Sequence, residues 1–145
     1  IQKDLDMADL FDSLTKCRTH IEAALEYSHG THTFVDIAAG VLSGRYQLWA
    51  GQQSAVVTEI IVYPHQRDLH YFLAGGDLDE LKTMRPHIEA WAIKQGCSSV
   101  TLAGRPGWAK TFLKDEGYEP AWFVLKKDMT SKSVLTDNLL ILGYR

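Results

Sequence analysis

The chain has 145 residues, 46% of them hydrophobic, 10% aromatic and 23% charged, which suits one ordinary globular domain and falls below the size at which chains usually divide. Eleven Gly and four Pro leave no room for a collagen-like or long low-complexity tract, and no apolar run approaches the ~20 residues of a bilayer span. Fifteen Lys+Arg against eighteen Asp+Glu give a net charge of -3, so no basic surplus exists to neutralise a phosphate backbone, and neither a membrane nor nucleic acid is expected as a direct partner.

Two cysteines, Cys17 and Cys97, are too few for a disulfide framework in a chain of this length, and both sit in segments that read as core, so a reducing compartment is expected. The first residues show no basic stretch leading into an apolar run, so no secretory signal is expected, and the absence of an initial Met suggests a few residues upstream.

From about Asp4 to Tyr27, Leu10, Phe11, Leu14, Cys17, Ile21, Ala24 and Leu25 recur at steps of three and four, the spacing of an amphipathic helix that Gly30 ends. A second, shorter helix is expected around Phe34, Ile37, Ala38 and Val41, stopping at Ser43-Gly44. The period then changes. Tyr46 to Ala50, Ala55 to Tyr63 and Leu69 to Ala74 are rich in Val, Ile, Tyr, Trp and Phe and are separated by turn residues, predicting a three-stranded antiparallel meander. In the middle strand both faces are mostly apolar, so both are expected to be covered.

From Leu78 the helical period returns through Leu81, Met84, Ile88, Trp91 and Ala92 to a stop at Gly96, with Pro86 expected to kink or restart the helix. A short strand over Ser98 to Leu102, a short helix over Trp108 to Lys114 and a final strand over Tyr118 to Leu125 complete the order. A strand, helix, strand connection implies a parallel pair, hence a mixed sheet with an antiparallel front half. The expected fold class is α/β (α+β): a mixed sheet, two N-terminal helices, and helices on both faces. Residues 1-128 form one domain in this reading, and 129-145 form a C-terminal tail, docked on the core or on a partner.

This order of elements resembles the GNAT acetyltransferase fold over about Leu5 to Lys127. Ile88-Glu89-Ala90-Trp91-Ala92 running into Gly96 is similar to the end of that family's central helix, and Phe112-Leu113-Lys114-Asp115-Glu116-Gly117-Tyr118 is similar to its Y-x-x-x-x-G-F signature. Thr58-Glu59-Ile60, the run from Leu73 to Leu81, Gly104-Arg105-Pro106-Gly107-Trp108 and Gly117-Tyr118-Glu119-Pro120 further resemble small GNAT-like proteins of tailed bacteriophages. The resemblance implies a protein of the host cytoplasm during infection, carried in the virion in some cases, with other phage structural proteins or itself as partner.

It also implies an acetyl-CoA site, and two departures bear on it. GNAT enzymes hold the pyrophosphate with backbone N-H groups at the start of the central helix, where the helix dipole favours an anion. Here the loop reads Gly75-Gly76-Asp77-Leu78-Asp79-Glu80-Leu81, without the family's basic residue and with three carboxylates that repel a pyrophosphate. A surviving site would use Ala74, Gly75, Gly76 and Asp77; the alternative is that Asp77 is an N-cap and Glu80 closes a capping box. Second, Phe112 stands where many members carry a tyrosine that protonates the leaving thiolate, and phenylalanine has no proton to give.

If the chain is active, Glu59, His70 or Tyr71 on the meander can serve as general base; each also has a structural reading, as an ion-pair partner or a strand-surface group. His29-x-x-His32 has metal-ligand spacing but lacks a third ligand and reads as exposed loop, so no metal site is expected. Neither cysteine has the setting of a nucleophile, and no G-x-S-x-G or G-x-G-x-x-G occurs. The apolar run Leu139, Leu140, Ile141 and Leu142, followed by Tyr144, is the expected partner-binding segment, because such an end is usually docked. Two functions follow: a non-catalytic virion, assembly or binding protein without a cofactor, or an acetyl-CoA-dependent N-acetyltransferase acting on a small amine or a protein amine.

Overall fold

A computed structural model describes residues 6-104 and 111-130. The chain forms two compact units, Ile1–Ala103 and Gly104–Arg145.

The first unit begins with α1 (Met7–Leu25), whose N-terminus is capped by the Asp6 side chain accepting from Asp9 N-H. Leu14, Cys17 and Ile21 make its buried stripe, the i, i+3, i+4 spacing of a single face. The helix leaves through a turn in which His29 and Gly30 both take positive φ (58° and 76°). Next comes α2 (Phe34–Leu42), closed at its start by a reciprocal Thr33/Asp36 capping box.

The sheet is built from β1 (Tyr46–Ala50), β2 (Ser54–Val62), β3 (Arg67–Gly76) and β4 (Ser99–Leu102), in the order β1-β2-β3-β4. The first three pair antiparallel and β4 pairs parallel to β3, the mixed sheet that the sequence predicts. Between β3 and β4 runs α3 (Leu78–Lys94).

Alternation along the strands sorts side chains onto two faces. On one, Tyr46, Leu48, Ala55, Val57 and Leu73 join Leu14, Cys17, Ile21, Ile37 and Val41 of α1 and α2 in one core. On the other, Val56 and Leu69 join Ile88 and Ala92 of α3, with Trp49, Ile60, Tyr71, Trp91 and Val100 against them. Both faces of β2 are therefore covered by helices, as its two apolar faces require. Each fully buried aliphatic side chain, such as Ile21, Leu48, Leu69 or Ile88, contributes roughly 1.5-3 kcal/mol over its exposed state.

Two expectations change. The helix α3 does not restart at Pro86 but continues through it, although proline cannot donate the bond that would reach the Lys82 carbonyl; Ile88 and Ala92, on the next turns, are buried against the sheet. In the second unit, α4 (Phe112–Asp115) is capped by Thr111, but residues 118-125, expected as a strand, form none. Their alternation of large apolar groups is strand-like, yet a strand exists only where a neighbour pairs with it, and Trp122, Phe123, Val124 and Leu125 are 70%, 87%, 84% and 88% exposed. Arg105, Pro106, Gly107, Trp108 and the tail residues Leu139, Leu140, Ile141, Leu142 and Tyr144 lie outside the described residues.

Candidate functional site on the β2-β3-β4 face

Glu59, His70 and Thr101 form one row across three strands. Glu59 is the register partner of His70, and His70 that of Thr101, so all three side chains project from the face that carries α1 and α2. His70 Nδ1 and Thr101 Oγ1 are 2.9 Å apart. Burial holds the imidazole below its ordinary pKa, opposed by the negative charges of Glu59 and Asp68, so His70 is neutral at physiological pH.

The next row toward the hairpin tip brings together Ile61, Asp68 and Ser99. Asp68 is 2% exposed, and its Oδ1 accepts from both the Ser99 hydroxyl and Gln66 Nε2. No salt bridge reaches Glu59 or Asp68 among the described residues; the three that occur are on α1 and α3.

On the other side of the Glu59 row lies an aromatic group. The register shift between Val57 and Thr58 leaves Phe72 as an extra residue in β3, a bulge that puts Phe72 on the same face as His70. Its ring meets Tyr46 (5.5 Å between centroids) and the edge of His32 (4.8 Å). His32, read from the sequence as half of a weak metal pair, instead packs on Phe72 and bonds Thr31 Oγ1 through Nδ1. No group of three or more metal-ligating side chains occurs among the described residues.

Tyr71 is separated from Glu59 and His70. It lies on the α3 face, where its hydroxyl donates to Glu89 Oε2 at 3.2 Å and Glu89 in turn pairs with Arg85 at 3.0 Å. On the same face the Thr58 hydroxyl accepts from Trp49 Nε1 and donates to Gln47.

The predicted cofactor residues sit where β3 meets α3. Ala74, Gly75 and Gly76 belong to β3 itself, paired with Val56, Ala55 and Ser54, so the connection to α3 has shrunk to Asp77. Gly75 is glycine because the His20 carbonyl of α1 stands 2.6 Å from where a Cβ would be, and Gly76, at φ 117°, leaves space for the Gln53 carbonyl. Asp77 N-H donates to the Gln53 carbonyl at 3.1 Å. By the alternation of antiparallel pairing, Leu73 and Gly75 then turn their backbone groups toward β2, and Ala74 and Gly76 turn theirs to the opposite edge. There β4 has ended, its last pair being Tyr71 with Leu102, and no described strand pairs with β3.

Two carboxylates at the start of α3 are already bonded within the protein. Asp77 Oδ2 accepts from Glu80 N-H at 3.1 Å, as an N-cap should. Glu80 does not complete the capping box. Its two oxygens accept from Gln52 N-H and Gln53 N-H, each at 2.9 Å, across 28 and 27 residues of sequence. The Ser54 hydroxyl and the Gln53 amide lead the interactions that hold the Glu80 carboxyl below its usual pKa, with Gln52 and His20 adding to them. Sequence reasoning missed this clasp; the Gly51-Gln52-Gln53 turn was the only signal, since a Cβ on Gly51 would push the Glu80 carboxylate aside.

No protein-family profile matches the chain, and no curated protein does. Solved structures do. An aminoglycoside acetyltransferase from an uncultured soil metagenomic sample, in complex with sisomicin, superposes with TM-score 0.62 at 11% identity, covering 88% of this chain and 93% of its own. A possible acetyltransferase from Clostridium difficile 630 gives 0.55 at 11%, covering 86% and 93%, and an acetyltransferase of Trypanosoma brucei gives 0.54 at 13%, covering 86% and 95%. At these identities the likeness is one of architecture: the chain has a GNAT-like fold, similar to that of acetyltransferases.

Proposed function

We propose that this chain is a GNAT-fold binding protein of the tailed-phage type that does not use acetyl-CoA and acts through its surface, as a virion or assembly component. One observation carries the reading: at the helix N-terminus that would face a pyrophosphate, the Asp77 carboxylate already accepts from Glu80 N-H, and the Glu80 carboxylate of the same turn is held by Gln52 and Gln53 N-H of the β1-β2 turn. A pyrophosphate would have to displace one carboxylate and tolerate Asp79 beside it, against Coulomb repulsion and with no cationic side chain in the connection to offset it. The exposed run Trp122 to Leu125 supports a role in association, because contiguous exposed apolar groups mark interaction surfaces. Calorimetric titration with acetyl-CoA and with CoA tests it. No binding at millimolar ligand is expected, and micromolar binding would overturn it. In this reading, deleting residues 131-145 abolishes self-association or partner binding, read by sedimentation, and an unchanged assembly state would count against that segment.

A second reading, an N-acyltransferase acting on a small or protein amine, is favoured by a different observation: Glu59 and His70 are paired across β2 and β3, and farther along β3, at Ala74 and Gly76, no described strand pairs with its far edge. An amide-bearing arm such as that of coenzyme A can add to such an edge, and its Ala74 and Gly76 N-H groups can bond a carbonyl. Glu59 or His70 would then take the proton of the attacking amine while the thiolate leaves. If so, Glu59→Gln lowers turnover at least tenfold; turnover indifferent to both Glu59 and His70 changes would remove this reading.

A further inference from the structure

Thr101 has no place in either function, yet its hydroxyl meets His70 Nδ1 at 2.9 Å. A neutral imidazole has one N-H and one lone pair, a carboxylate can only accept, and a hydroxyl can do both. His70 faces Glu59 from β2 and Asp68 from its own strand, both acceptors only, and Thr101 from β4. Thr101 is thus the member of the row able to supply a proton to the ring. Were Nδ1 to carry the hydrogen, the ring would keep a lone pair instead of an N-H in surroundings whose nearby charges, Glu59 and Asp68, are both negative, and the Thr101 proton would have no acceptor among the described residues. With the Thr101 O-H donating to Nδ1, both mismatches vanish.

We propose that Thr101 is a positioning residue that fixes His70 as its Nε2-H tautomer, so that this face offers a ligand one hydrogen-bond donor, His70, and one proton acceptor, Glu59. The role in turnover rests on the acyltransferase reading; the tautomer does not. In that reading the assignment divides the work. Glu59 accepts the proton of the attacking amine, and His70 Nε2-H bonds the carbonyl oxygen as negative charge grows on it. Which ring nitrogen is protonated is set by the bond the other makes, so removing the Thr101 hydroxyl should change the ring and leave the strand pairing alone.

Two-bond 1H-15N correlation on the full chain labelled with 15N-histidine, at about pH 8, reads the tautomer directly, with His70→Gln assigning the resonance. The wild type should show a single tautomer, Nε2 at the shift of a protonated ring nitrogen and Nδ1 at that of an unprotonated one. Thr101→Val should move both shifts toward the averaged values of a mixed tautomer, and Thr101→Ser should restore the wild-type pattern. An Nδ1-H tautomer in the wild type, or a Thr101→Val spectrum identical to it, would overturn the proposal. Because none of these spectra involves coenzyme, they distinguish a failure of this assignment from a failure of the acyltransferase reading, which the calorimetric titration decides.

Discussion

His70 and Tyr71 are consecutive in β3 and serve opposite faces of the sheet: His70 Nδ1 meets Thr101 Oγ1 at 2.9 Å, while the Tyr71 hydroxyl donates to Glu89 on α3 at 3.2 Å. Their separation divides three residues that share a candidate role into a pair on one face, Glu59 and His70, and a sheet-to-helix tie on the other, Tyr71.

Tyr71→Phe therefore removes a part-buried hydrogen bond between sheet and helix without touching the Glu59 row. A loss of about 0.5-1.5 kcal/mol in unfolding free energy is expected, measured by urea denaturation, together with an unaltered His70 spectrum. A change in the His70 resonances would place Tyr71 in that site after all.

The His70 ring also sets a pH dependence. Its folded-state pKa lies below the ordinary value because burial disfavours the charged form, so the unfolded chain binds the proton more readily. Stability is then intact above about pH 6.5, the unperturbed value, and declines as pH falls from there toward the folded-state value. Urea midpoints across this range should show that decline in the wild type and a flatter profile in His70→Gln. Equal slopes would mean the ring is not deprotonated by the fold.

Acidification further down tests the clasp. The lowered pKa of Glu80 contributes stability that is present above the unfolded carboxyl value of about 4.3 and is lost as pH falls through the folded value. Glu80→Ala should lower the melting temperature at neutral pH and lessen its fall below about pH 4. Asp36, held low chiefly by its bonds to Thr33, keeps part of that fall in the variant. A melting temperature at pH 7 equal to that of the wild type would show that the Glu80 bonds add nothing net.

Gly75 separates a packing role from a ligand role. In Gly75→Ala the new methyl meets the His20 carbonyl, a backbone atom that cannot swing away, so α1 must shift from β3 at a cost of about 1-3 kcal/mol. Chemical denaturation should register that loss with no ligand present. A neutral result would return Gly75 to consideration as a coenzyme contact.

Much of the fold was legible because its signals are local. The 3.6-residue period of Leu14, Cys17 and Ile21, the helix stop at Gly30 and the change to β-branched runs after Gly44 each specify an element from a few neighbours. The meander followed from short turns, and the acidic start of α3 was visible as three carboxylates around one helix end. Even the opposition of His70 and Tyr71 is implicit in strand alternation. The segment 118-125 failed by the same logic, since its pattern fits a strand but a pattern does not supply the neighbouring chain that strand hydrogen bonds need.

What the sequence by itself determined is which elements form and which of their faces are apolar, because backbone propensity and side-chain period act within a few residues. Tertiary structure alone decided the pairing of Glu59 with His70 and of His70 with Thr101, the bulge at Phe72, the end of β4 pairing before Ala74 and Gly76, and the reach of Glu80 to Gln52 and Gln53. Those contacts join residues 11 to 31 positions apart, or more generally separate elements. A one-residue change of register would dissolve each of them while leaving every local signal in place.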